Sequence, residues 1–295
     1  PQSMAQQAML HEREWRSKDG LKLFARDYPA AGQENRLPVI CLHGLTRNSK
    51  DFEDIAPLIA GWGRRVIAPD VRGRGQSDRD PDPKNYQPKT YARDVLEMMA
   101  ELGIDRAVFL GTSMGGLITM TIAATRPKAI AAAILNDVGP AIAPEGIARI
   151  LSYAGKPIEV RDWSDAADYV RHTNGVAFPQ FGDEDWHKFA QRTFRQGKVG
   201  PELDYDAAIA VALQKPPPKL AGFIAGLLFR RLARKRPTLL IRGELSDIIS
   251  PDIAAKMQRM APGLSRVDVP NVGHAPMLTE PVAVDAIDKF LRTVP

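Results

Sequence analysis

The chain has 295 residues, 44% of them hydrophobic and 25% charged, with a formal net charge of +5. That length suits one large domain, or a core with an inserted lobe, and the composition excludes a disordered or collagen-like chain. With one cysteine, Cys41, no internal disulfide is possible, so the fold needs no oxidising compartment.

Residues 1–10 hold no basic stretch followed by an apolar one, so no signal peptide is expected. Segments 12–17 and 21–28 flank Asp19-Gly20, a tight-turn pair, and predict a hairpin. Short buried strands are expected at 38–44, 65–70, 106–111 and 129–135. Helices are expected between them: 51–61 with Phe52, Ile55, Leu58 and Ile59 on one face, 90–102, and one from Met114 to Thr125. Strands at Pro237–Gly243 and Arg266–Pro270 and a helix over 280–293 close the chain. Apolar strands alternating with helices predict an α/β fold, with a mostly parallel central sheet covered by helices on both faces. The rhythm breaks over 139–235, where no strand is evident and several helical patches carry scattered aromatics. This stretch is expected to be a helical cap inserted into a core formed by 1–138 and 236–295.

The longest apolar run, Leu220 to Phe229, is far short of the ~20 residues that span a bilayer. After it, RRLARKR at 230–236 carries five basic residues and no acidic one, which accounts for the whole net charge. Such a cluster attracts anionic partners, but its place before Pro237 suits a solvated helix end. Nucleic acid is therefore not expected as a partner; for 220–236 a cap helix packing over the pocket is preferred to a lid helix near a membrane or lipid-like substrate, and a cytoplasmic monomer or homodimer is the default.

The sharpest chemical signal is Gly111-Thr112-Ser113-Met114-Gly115. The pentapeptide is weak alone, but here it follows a strand and opens a helix, the setting a nucleophile elbow requires. The helix start also leaves the Met114 N–H free, at the positive end of the dipole. Of five histidines, His11 precedes the sheet, His172 and His187 lie in the insert, and His43 ends a buried strand. His274 lies in a loop just after the last strand, where catalytic groups collect in such folds, and is the preferred general base. Three carboxylates compete to orient it. Asp247, past the strand ending in Gly243, is preferred; Asp137, at the end of the fourth buried strand, comes second, and Glu244 third. The chain order Ser113, Asp247, His274 is that of one serine-hydrolase class. Backbone donors for an oxyanion are expected at Leu45, in the His43-Gly44-Leu45-Thr46 loop, and at Met114. No His/Cys/Asp/Glu spacing suggests a metal, and neither a dinucleotide fingerprint nor a phosphate loop is complete, so no cofactor is expected.

Taken together, LHGL at 42–45, PDVRGRGQSD at 69–78, GTSMGG at 111–116, RGELSD at 242–247 and VGHAP at 272–276 resemble the α/β-hydrolase-fold serine hydrolases. The resemblance implies Ser113 as nucleophile, Asp247 as acid, His274 as base, Leu45 and Met114 as the oxyanion hole, and a cap over the pocket. It implies a carboxylic ester or lactone as the small-molecule substrate. Related dehalogenases and epoxide hydrolases carry aspartate where Ser113 stands. The carbon–carbon bond hydrolases of aromatic degradation usually carry tryptophan after the histidine, where this chain has Ala275. Such a hydrolase is the alternative enzyme, and a non-catalytic binding protein on the same fold is the alternative of another class.

Overall fold

The structure is a computed structural model that describes residues 10–33 and 35–295. The reading of residues 1–9 as leaderless lies outside them.

Among the described residues ten strands form, and eight of them make one sheet. They are β1 (His11–Arg16), β2 (Lys22–Tyr28), β3 (Val39–Leu42), β4 (Val66–Asp70), β5 (Ala107–Thr112), β6 (Ile130–Asn136), β9 (Thr238–Gly243) and β10 (Ser265–Val269). The spatial order is β1-β2-β4-β3-β5-β6-β9-β10. The hairpin joins antiparallel at one edge, and every pairing from β4 to β10 is parallel. All the residues of β3, β4, β6 and β9 are buried, as befits strands covered on both faces.

Alternate side chains feed two cores, because strand residues point to opposite faces in turn. Ile40, Leu42, Phe109 and Leu135 pack with helices α2 (Pro88–Glu101), α3 (Met114–Thr125), α7 (Ala221–Lys235) and α8 (Pro251–Met260). Val39, Cys41, Val108, Leu110 and Ile134 pack with α1 (Ile55–Gly61) and α9 (Pro281–Arg292). Helix α8 has no counterpart among the expected elements, although Ser250-Pro251 is a helix-start signal: the Ser250 hydroxyl accepts from Ile253 N at 3.2 Å, and proline stands at the first turn.

The expected cap divides in two. Helices α4 (Pro144–Tyr153), α5 (Trp163–Asn174) and α6 (Asp183–Thr193) precede a short antiparallel pair, β7 (Phe194–Gln196) and β8 (Pro201–Leu203), which the sequence did not suggest. Phe178, Trp186, Phe189 and Phe194 give this part its own apolar cluster. Helix α7, which lies within the expected 139–235 cap, instead sends Phe229, Leu232 and Ala233 into the main core beside α3. The chain thus rejoins the helical layer at 221 rather than at 236.

Candidate active site

Three parallel strands, β3, β5 and β6, end side by side, and each delivers part of the site. After β5 the chain turns sharply into α3. Ser113 takes φ +52°, a left-handed conformation that costs a non-glycine residue roughly 1–3 kcal/mol and is held only where its surroundings fix it. The neighbouring glycines make that possible. A Cβ on Gly111 would overlap the Gly115 backbone, one on Gly115 the Leu42 carbonyl, and one on Gly116 the Val138 side chain.

The Ser113 hydroxyl lies 3.1 Å from His274 Nε2, and His274 Nδ1 lies 2.6 Å from Asp137 Oδ2. With the Asp137 carboxylate as acceptor at Nδ1, Nε2 is left to accept from the serine. Asp137 stands one residue past β6, fully buried, at φ +53°, a conformation that aspartate tolerates better than most residues. Gly243 N donates to its Oδ1 at 2.9 Å, and Ser246 Oγ donates to its Oδ2 at 2.6 Å. Its own amide is bonded to Ile241 O at 2.6 Å. Asn136 steadies the neighbourhood by donating to Thr112 Oγ1 and to the Pro276 carbonyl.

Asp247, the preferred acid from sequence, is not at His274. It faces the insert and binds Arg149 of α4, at 2.6 Å from Nε and 3.2 Å from Nη2. The physical reason is reach. Asp137 leaves a strand whose direction the sheet fixes, whereas Asp247 lies four residues beyond β9, on a loop already turned toward α4. There Ala143 N bonds to Ile248 O, and Gly146 packs against the Asp247 backbone. Burial pulls the Arg149 guanidinium down, but the hydrogen bonds and charge of Asp247 outweigh it and hold its pKa above the usual value. Glu244 is exposed, and its carboxylate faces the Asn271 amide at 3.4 Å.

The two expected oxyanion donors lie on the two turns that flank the serine, the start of α3 and the loop after β3. Met114 is the first residue of α3, so its N–H points out of the helix end. The β3 loop comes close enough that a Cβ on Gly44 would lie 3.7 Å from that of Ser113. Arg74, from the glycine-rich loop after β4, holds this turn by donating from Nε to Leu45 O at 2.8 Å. His43 is structural: its Nδ1 bonds to Gly44 O at 2.8 Å, and its Nε2 accepts from Val71 N at 3.0 Å. Burial pushes its pKa down to about 4, so it stays neutral.

Ser113 and His274 open onto a cavity of about 90 Å³ between the strand ends and the insert. Phe178, Phe189 and Tyr153 supply its outer wall, and Arg47 and Arg149 its cationic groups. Arg47 is clamped by Asp51 at 2.7 and 2.9 Å and lies 4.6 Å over the Phe189 ring. The sequence reading missed Ser246, Arg149, Arg47 and Arg74. Ser246 and Arg74 lie inside motifs already recognised, but only their folded contacts show what they do.

The model of the α/β hydrolase fold family matches residues 38–281. The chain is 34% identical over 257 residues to a 3-hydroxybutyrate-oligomer hydrolase of Cupriavidus necator, covering 85% of this chain and 87% of that one. It is 25% identical over 266 residues to an sn-1-specific diacylglycerol lipase of Mus musculus, covering 86% and 80%. A crystal structure of an α/β hydrolase from Novosphingobium aromaticivorans superposes with a TM-score of 0.88 at 43% identity, over 96% of this chain and 98% of that one.

Proposed function

The chain belongs to the α/β-hydrolase family, and from that premise we propose that it cleaves a carboxylic ester through an acyl-serine intermediate. The observation that carries this reading is the unbroken line Ser113–His274–Asp137, at 3.1 and 2.6 Å. In the proposed reaction Ser113 Oγ attacks the ester carbonyl while His274 Nε2 takes its proton. Asp137 keeps Nδ1 protonated and stabilises the imidazolium. The Leu45 and Met114 amides hold the developing oxyanion. His274 then returns the proton to the departing alcohol. A water that gives its proton to His274 attacks the acyl-serine, and the carboxylic acid leaves as Ser113 regains its proton.

The small cavity favours a short acyl group, with the aromatic wall against its carbon chain. Arg47 and Arg149 on the same walls, each already paired with a carboxylate, favour an ester that carries a polar end. Short hydroxyacyl esters unite these properties, and the name of the Cupriavidus necator relative points the same way. The test compares hydrolysis of p-nitrophenyl acetate, p-nitrophenyl butyrate and a linear 3-hydroxybutyrate dimer by the native protein and by Ser113→Ala. The native protein should turn over all three and be labelled at Ser113 by a fluorophosphonate; Ser113→Ala should lose about 10⁶ in kcat. Full turnover in that variant, or no labelling of the folded native protein, overturns the proposal.

A further inference from the structure

We propose that the outer face of α7 docks on an anionic lipid bilayer. Leu220, Phe223, Ile224 and Leu227 recur at i, i+3, i+4 and i+7, one stripe of a helix. In the folded protein they are 65%, 68%, 50% and 43% exposed, and Phe229, Leu232 and Ala233 on the other face are buried against the core. Large apolar side chains this exposed, all on one stripe, mark a contact surface, whereas scattered single ones do not.

The charges decide what that surface fits. Continuing the stripe by the same helical period leads to Arg230, Arg231 and Arg234, and Lys219 stands just before it. From Ala207 to Gly243 there is no aspartate or glutamate. Arg234 spends its Nε on Met260 O, and Arg236 caps the helix end by donating to the Arg231 and Leu232 carbonyls. Among the described residues, no carboxylate pairs with Arg230 or Arg231. An apolar stripe ending in lysine and arginine, lying flat on a protein surface, has the form of an interfacial helix. Its side chains enter the acyl boundary while the cations meet anionic headgroups. A second copy of the chain fits less well, because pairing two of these faces brings cations together with no acid on the segment to neutralise them. The expectation of a plain solvated helix end at 230–236 therefore gives way to a surface of two complementary parts. This inference is independent of the proposed ester chemistry.

The experiment is co-sedimentation of the full chain with vesicles of phosphatidylcholine alone and of phosphatidylcholine with phosphatidylglycerol, at low and high salt. The protein should pellet with the mixed vesicles at low salt and stay in solution with the neutral ones. High salt should release it. The pair Arg230→Glu with Arg231→Glu, and separately the pair Phe223→Glu with Ile224→Glu, should each weaken binding about tenfold or more. Circular dichroism melting identifies any variant that has lost its fold, and charge reversal at exposed Lys198 on the β7–β8 turn provides a control that should bind as the native protein does. Failure to pellet with anionic vesicles overturns the proposal, as does binding that both pairs leave unchanged. A dimer in sedimentation velocity that Phe223→Glu disperses, without vesicle binding, assigns the face to a second copy instead.

Discussion

Asp137 and Asp247 stand past the carboxyl ends of neighbouring strands, and the chain uses them in opposite ways. Asp137 is anchored: it follows β6 directly, is fully buried, and gathers His274, Gly243 N and Ser246 Oγ around its two oxygens. Asp247 faces the insert, bound to Arg149 of α4. The loop after β9 still serves the site, but it contributes donors to the carboxylate rather than the carboxylate itself. A residue that the sheet register fixes is available for catalytic geometry, whereas one on a loop goes to whichever partner packs against that loop. In this chain the sheet side brings Ser113, His274 and Asp137 together, and the inserted helices supply the outer wall of the cavity.

That contrast predicts unequal responses to change. The sheet side tolerates least. A methyl added by Gly115→Ala meets the Leu42 carbonyl, where backbone on both sides cannot yield, and should cost about 3 kcal/mol or more. A thermal melt with an unchanged midpoint would break the claim of rigid strand–helix contact. His43 should make the same side sensitive to acid. Its folded pKa of about 4 lies below the ordinary 6.5, so the unfolded chain takes up the proton first. The stability it contributes is complete above pH 6.5 and is lost as pH falls toward 4, ~3 kcal/mol in all. The fall in melting temperature across that window should be shallower in His43→Asn.

The cap side should respond more mildly. Asp247 and Arg149 are partly exposed, so Asp247→Asn should cost about 1–2 kcal/mol, discounted for solvent screening. Its kinetic effect should fall on KM more than on kcat, because Arg149 lines the cavity and its hydrogen bonds run to Asp247 and the Thr173 carbonyl. Equal losses in kcat would place the cap inside the chemical step. Smaller than the loss of Asp137 itself, Ser246→Ala removes one of several donors to Asp137 and should lower kcat about tenfold, the worth of one hydrogen bond. A steady-state rate equal to the native one would show that the carboxylate needs no help from the β9 loop.

Much of this was legible in the sequence. The buried strand runs gave the parallel sheet, because strands covered on both faces carry no polar alternation. Gly111, Ser113 and Gly115 gave the elbow, since few other residues fit so tight a turn. His274 followed from its place after the last strand. The carboxylate was not legible, because Asp137, Asp247 and Glu244 all lie past strand ends, and the direction a loop takes after its strand is decided by packing. Aspartate at 137 permits a left-handed residue but does not require one. The place of α7 was hidden for a related reason: its apolar run suits either a cap helix or a core helix, and only its contact with α3 separates them.

The claim at the centre is that Asp137, not Asp247, holds His274. Measuring kcat for Asp137→Asn and Asp247→Asn on one ester, with both variants shown to be folded, tests it most directly. The account predicts a loss of about 10⁴ in the first, from a mis-set histidine tautomer, and a kcat within a few-fold of native in the second. The reverse order of losses would contradict it.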